Sequence, residues 1–238
     1  MKIGFGFLIY DRIEQDELWL KYVKDKSCEI RIHAKFDTKL HDTFKPYCID
    51  SIPTQYRKIS IVKANLLLLE SLFTETDVSC VILLSGSCFP IEPYDTIEQS
   101  LVDEPQSRFA DLTYNRNNHI YDRCSKLTES IIKKEEFKKQ QTNCIIFRED
   151  YDKLMPHMEY FLNVFKYVDT PEEHFLINMF RYYNVSYIPR VVCMAHKQQC
   201  MAQAYDIPEV SKEYIMIAKK GEHFLFEKLD MIQLYQNL

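Results

Sequence analysis

Glycine is scarce in this chain, with 4 residues in 238. Loops of the G-x-G-x-x-G and G-x-x-x-x-G-K-[ST] kinds use glycine to bring backbone N–H groups against phosphates. Neither pattern occurs, and there is no G-x-S-x-G nucleophile elbow. Dehydrogenase and P-loop readings therefore lack support. Excess positive charge is missing too. Lys+Arg number 30 against 35 Asp+Glu, for a net charge of −5, which implies no broad basic face and no nucleic-acid partner. The eight cysteines (Cys28, Cys48, Cys80, Cys88, Cys124, Cys144, Cys193 and Cys200) contain no C-x-x-C pair and no Cys/His cluster with zinc spacing. Several fall in apolar runs, where a reduced thiol behaves as a small hydrophobe. The apolar start "MKIGFGFLIYDR" stops at Asp11 and Arg12, too short for a membrane span and without a signal-type cleavage site. The expectation is a soluble, cytoplasmic chain without a transmembrane segment (host cytosol if the source is viral), in which the Asn184-Val185-Ser186 sequon stays idle.

What is present is ordinary for a globular protein: 46% hydrophobic, 27% charged and 13% aromatic residues. The chain alternates. "KIGFGFLIY" reads as a buried strand and "RIEQDELWLKYVK" as an amphipathic helix with Leu18, Trp19 and Tyr22 inward. "CEIRIHAKF" is a second strand, "KISIVKANLLLLESLF" a long helix and "CVILLSGS" a third strand. Strands that are apolar throughout and alternate with helices predict a largely parallel sheet covered on both faces. Ligands of such sheets bind outside the carboxyl ends of the strands, which places "YDR", "HAKFD" and "SGSCFP" around one crevice. The stretch "RFADLTYNRNNHIYDRC" reads as a polar loop and "IIKKEEFKKQQ" as a solvated helix face. "NCIIF" is a further strand, "YDKLMPHMEYFLNVF" a helix and "NVSYIPRVVC" the last strand.

"DTPEEHFLINMF" poses the main question. Thr170, Pro171 and Glu173 spell a capping box, and Leu176, Met179, Phe180 and Tyr183 follow at helical spacing. Two adjacent glutamates, Glu172 and Glu173, also suit proton transfer. Elsewhere Asp150-Tyr151-Asp152 forms a D-x-D after a strand, able either to hold a divalent cation against a diphosphate or to start a helix. Ser85-Gly86-Ser87 ends a buried strand, where small residues permit close approach of a ligand or make a tight turn.

In order, "ELWLKYVKDKSCEIRIHAK", "IPTQYRKISIVKANLLLLESLF", "VILLSGSCFPI", "TPEEHF" and "HFLFEKLD" resemble segments of the core-2/I-branching N-acetylglucosaminyltransferase family, including its plant-type branch. The resemblance covers most of the chain. It implies a GT-A-like α/β fold with a largely parallel sheet flanked by helices and a Rossmann-like nucleotide-sugar half. It implies one domain over 1–238, with a donor half to about residue 105 and an acceptor and catalytic half with the tail beyond. It implies a UDP-sugar donor, a glycan or glycoprotein acceptor, inversion and no metal cofactor. Glu173 takes the place of the general base, with Glu172 as the alternative, and Lys228 the place of the diphosphate contact. Tyr10, Asp11, His33, Asp37, Ser85, Gly86 and Ser87 would line the donor site, and Lys197, Arg190 or Lys212 would supply a second phosphate contact.

The chemistry agrees with these roles. An attacking hydroxyl must lose a proton to a carboxylate within reach, and a departing diphosphate needs positive charge beside it. The pattern departs from the family at Lys35, where a carboxylate is usual, and at Asn143 and Cys144, where aromatic residues are usual. Two other readings stay open: a metal-dependent transferase using Asp150 and Asp152, and a non-catalytic glycan- or protein-binding module.

Overall fold

The computed structural model describes residues 1–90, 92–112, 121–190, 192–195 and 217–219. Six strands form the main sheet. β1 (Ile3–Ile9) is followed by helix α1 (Asp16–Val23), β2 (Cys28–Ala34), the long helix α2 (Ile59–Glu75) and β3 (Cys80–Ser85). A short β4 (Cys88–Pro90), α3 (Tyr94–Asp103), β5 (Arg108–Asp111), the one-turn α4 (Lys126–Glu129) and β6 (Gln140–Phe147) come next. Then come α5 (Arg148–Leu154), α6 (Met158–Phe165), α7 (Phe175–Tyr182), β7 (Ile188–Pro189), β8 (Cys193–Ala195) and β9 (Ile217–Lys219). Spatial order in the main sheet is β2-β1-β3-β6-β5-β7, and β4, β9 and β8 make a second, three-stranded sheet. β1 pairs parallel with β2 and β3, and β5 with β7, whereas β6 is antiparallel to both neighbours. The sheet is mixed and largely parallel, as the apolar strands imply.

Period-2 alternation explains how one strand serves two cores. Ile3, Phe5, Phe7 and Ile9 face α1 and α3 with Trp19, Tyr22, Ile82 and Leu84. Val81, Leu83, Cys144 and Ile146 face α2, α6 and α7 with Leu68, Leu72, Phe161 and Phe180. Gly6 lies on the α2 side, and a Cβ there would come within 3.0 Å of Leu83 and 3.5 Å of Leu68. Its missing side chain is what lets α2 lie close on β1. Trp19 contributes both bulk and direction: it is fully buried, and its Nε1–H donates to Cys88 O at 2.8 Å, tying α1 to β4.

Three readings of the sequence are corrected. Arg108–Asp111 is a strand, not loop, with the Arg108 guanidinium buried against Ser100 and Glu104 carbonyls at 2.7 and 3.1 Å. The charged run before β6 is not a helix face. Phe137 is buried, and Asn178 captures both the N–H and the C=O of Lys138, at 2.9 and 2.8 Å, so the chain is extended as it leads into β6. The helix expected from Tyr151 to Phe165 is broken into α5 and α6 by a 3₁₀ turn at Met155–His157, where Pro156 removes a backbone donor.

Candidate active site

Register fixes which ends of the strands meet. Ile9 pairs with Ala34 and Leu8 with Ser85, so the carboxyl ends of β1, β2 and β3 share one edge. β6 is antiparallel, with Leu83 opposite Cys144, so its first residues reach the same edge. Asp111, at the carboxyl end of β5, lies opposite Gln140. The segment that carries Lys138 and Lys139 into β6 is therefore brought to the ligand-binding edge of a doubly covered sheet.

The turn holding Glu173 comes to that edge as well, but not as a capping box. Thr170 adopts φ 54°, ψ 52°, and its side chain makes no capping bond. Pro171–Glu173 is a single 3₁₀ turn, and α7 starts only at Phe175. A left-handed β-branched residue costs of order 1–3 kcal/mol and persists only where its surroundings impose it. Those surroundings are visible. Arg57, itself at φ 60°, forms a two-pronged ion pair with Asp169. The Asp169 N–H donates to Arg123 O at 2.9 Å.

This twist frees the Glu173 side chain from the helix N-terminus and turns it to two cations. Arg123 Nη1 donates to Glu173 Oε2 at 2.7 Å, and Lys139 Nζ lies 3.2 Å from the same oxygen. Glu173 Oε1 makes no hydrogen bond among the described residues, and the side chain is 29% exposed. Burial pushes this carboxyl up, but the charge of Lys139 and the bonds from Arg123 and Lys139 outweigh it, holding the group below the ordinary glutamate value. Glu172 is the opposite case. It is buried, its Oε2 has no partner, and burial pushes its carboxyl up. Of the two acids, Glu173 is the one whose charged form its neighbours favour.

His174 anchors the arrangement. Its Nδ1–H meets Lys138 O at 2.8 Å and its ring stacks on Phe137 at 4.7 Å. Burial pushes its imidazolium down to about 4, so the ring is neutral and Nδ1 carries the proton at neutral pH. The Ile177 N–H donates to Gln140 Oε1 at 2.6 Å. These bonds fix the chain on both sides of Lys139.

The other predicted residues fall into three groups. Ser85, Gly86 and Ser87 form the turn at the end of β3, with the two hydroxyl oxygens 3.3 Å apart. Gly86 O accepts the Glu14 N–H at 2.7 Å, which locks that turn against the loop after β1. Tyr10 and Asp11 begin that loop. Tyr10 is 64% exposed and meets Phe36 edge-to-face, with Lys35 Nζ 5.3 Å from the Tyr10 ring, while Asp11 pairs with Lys39 at 2.7 Å. Asp37 is exposed just past β2. His33 is on the same strand but fully buried, where its Nε2 accepts the Ile52 N–H at 3.0 Å. Arg190 pairs with Glu104, which precedes β5, at the far end of the sheet from Glu173. Lys228, Lys197 and Lys212 lie outside the described residues. One piece of the basic tail is described: the backbone of β9 pairs with β4, with Lys219 opposite Cys88, directly after the Ser85–Ser87 turn.

Asp150 and Asp152 do not join this edge. Phe147 lies opposite Cys80 at the amino end of β3, so the residues after it sit at the other end of the sheet. Asp150 is buried and accepts the Ser107 hydroxyl at 2.7 Å, whereas Asp152 is exposed. Among the described residues no group of three or more His, Cys, Asp or Glu side chains is placed to hold a metal ion. Nor is any helix among them long and apolar enough to cross a membrane.

Arg123, Lys139 and Asp169 were not picked out from the sequence. Arg123 and Lys139 lie in polar segments without periodicity, and Asp169 heads the Glu173 run with nothing to mark it as the partner of Arg57.

A sheet edge that gathers a hydroxyl-rich turn and an ionised carboxylate steadied by two cations suits the chemistry of α/β group-transferring enzymes. A family model matches residues 3–216, and the chain belongs to the Core-2/I-Branching enzymes, which are glycosyltransferases of GT-A-like fold. No curated protein gives a significant match to the chain.

Proposed function

We propose that this glycosyltransferase moves N-acetylglucosamine or xylose from a UDP-sugar to a glycan hydroxyl with inversion, without a metal, and with Glu173 as general base. The observation that carries the reading is the state of Glu173: ionised, at the ligand edge, with Oε2 held and Oε1 making no hydrogen bond among the described residues. In the transfer, the acceptor oxygen bonds to the anomeric carbon while the C–O bond to UDP breaks. The acceptor proton passes to Glu173, and the diphosphate leaves with the bonding electrons. The donor lies at the carboxyl ends of β1–β3, over Tyr10, Asp11 and the Ser85–Ser87 turn. Basic side chains neutralise the diphosphate, with Lys228 as the candidate from the sequence. The position of Asp150 and Asp152 away from the edge favours this reading over a metal-dependent one.

Glu173→Gln tests it. The variant is expected to keep the thermal shift that UDP produces in EDTA and to turn over at least ~10²-fold more slowly. Wild-type turnover in the variant would remove Glu173 from the chemistry.

A further inference from the structure

Glu173 is held by more contacts than a carboxylate needs simply to be charged. Two cations converge on a single oxygen. Had Lys139 and Arg123 each taken one oxygen, neither oxygen would be left clear of a cation. Instead both sit on Oε2, at 2.7 and 3.2 Å. Each is fixed from behind. Arg123 is pinned through its carbonyl by the Asp169 N–H, and Asp169 is held in turn by Arg57. Lys139 lies between Lys138, gripped by His174 and Asn178, and Gln140, gripped by Ile177 N–H.

We infer that Lys139 and Arg123 are positioning residues for the base, clamping Glu173 Oε2 so that Oε1 is the atom that takes the acceptor proton. The inference rests on Glu173 being the base. It adds two residues that touch neither bond being made nor bond being broken.

The clamp has a consequence for pH. Among the described residues, the charged and titratable groups around Glu173 are Arg123 and Lys139 from the facing segments, and Glu172, Asp169 and the neutral His174 from its own. Lys138 is paired with Asp111 at 3.1 Å, and Arg57 with Asp169. Among the described residues, Arg123 and Lys139 lower the Glu173 carboxyl against the effect of burial. In the native enzyme the acid limb of kcat/KM, where the base becomes protonated, therefore lies below the ordinary glutamate value. Removing one cation leaves burial less opposed, so the limb must move to higher pH, by about one unit.

The experiment follows UDP released from UDP-N-acetylglucosamine and UDP-xylose across pH, with water as the acceptor, for wild type, Lys139→Met, Lys139→Arg and Glu173→Gln. UDP thermal shifts confirm that each variant is folded. The expected result is an acid limb moved up by about one pH unit in Lys139→Met, with a roughly tenfold lower plateau. Lys139→Arg should restore both. In the Glu173→Gln background, Lys139→Met should add little, because residues acting on one atom are not additive. An unmoved limb in Lys139→Met, or an equal further loss in the Glu173→Gln background, overturns the clamp while leaving the base intact. Wild-type turnover in Glu173→Gln, or no UDP release by wild type from either donor, overturns the reading of Glu173 and the clamp with it.

Discussion

The two halves of the main sheet both rest on apolar cores but differ in the polar groups they bury. β2, β1 and β3 bury apolar side chains on both faces, with Phe5, Phe7, Ile32 and Ile82 on one and Val81 and Leu83 on the other. The half made by β6, β5 and β7 and their flanking segments adds buried polar side chains to its own apolar cluster around Phe109, Phe161 and Phe180. Among the described residues, buried polar side chains before residue 105 are His33 and Ser71, whereas Ser107, Arg108, Gln140, Asn143, Asp150, Glu172, His174 and Asn178 all follow it. Apolar burial has no direction, so it builds a firm platform without aiming any one atom. Hydrogen bonds do have direction, and two cations can meet one carboxylate oxygen only if their backbones are aimed. The half that orients the Glu173 carboxylate is the half that adds buried polar contacts to its apolar core. Both come from one chain, yet they should fail differently when altered.

The largest effects compare the two kinds of core directly. Phe5 is fully buried and meets Trp19 edge-to-face at 5.4 Å. Phe5→Ala is expected to cost about 3–5 kcal/mol in urea unfolding, through lost transfer energy and the cavity left behind. Arg108→Met keeps much of the volume but strips the donors from the Ser100 and Glu104 carbonyls, and is expected to cost about 3 kcal/mol. A cost at Arg108 below about 1 kcal/mol would mean that methionine packing replaces the polar bonds and that the halves do not differ in kind.

The next effect should appear only as pH is changed. The folded His174 imidazolium titrates at about 4 because the ring is buried, against about 6.5 in an unfolded chain. Between those values the unfolded state binds a proton that the folded state does not. Stability therefore rises with pH across that window and falls as pH drops from about 6.5 to about 4, by about 3 kcal/mol in full. His174→Phe preserves a ring against Phe137 and removes the titration. Its stability relative to wild type should improve steadily as pH falls through the window. His33, also lowered by burial, is present in both proteins and cancels. A difference independent of pH would show that His174 is not the group that links this half to proton binding.

How far the sequence could be read divides along the same line. β1, α1, β2, α2 and β3 were legible because each is a near-continuous apolar run or a helical repeat, and burial then follows directly. Glu173 was legible from the short run around it. Its partners were not, because Arg123 stands 50 residues away and comes from a segment with no period. The apparent capping box failed for a tertiary reason. Thr-Pro-Glu-Glu fits helix-start statistics, but Arg57 holds Asp169 and turns Thr170 left-handed. The charged run before β6 misled in the same way. Its alternating signs suit a helix face, yet His174 and Asn178, which lie later in the chain, take the Lys138 backbone into an extended path. Hydrogen bonds between distant residues leave no periodic trace, so the aimed half is the less legible one.

The smallest effect belongs to the rim where the apolar half meets the ligand edge. A Cβ on Gly86 would stand 2.4 Å from Arg12 O, a backbone atom that no rotamer change can move aside. Gly86→Ala must therefore push the loop after β1 away from the turn after β3, stretching the 2.7 Å bond from Glu14 N to Gly86 O. Phe5, Phe7 and Trp19 beneath are untouched, so the cost should stay at about 1–3 kcal/mol, less than for Phe5→Ala. If the donor lies over this turn, its affinity for UDP should fall roughly tenfold, since about 1.4 kcal/mol of lost contact is enough for that. Titration calorimetry with UDP reads this separately from melting. A melting loss as large as that of Phe5→Ala would make the turn part of the core. A normal UDP affinity with a modest melting loss would place the donor elsewhere on the edge, and the apolar half would then be scaffold alone.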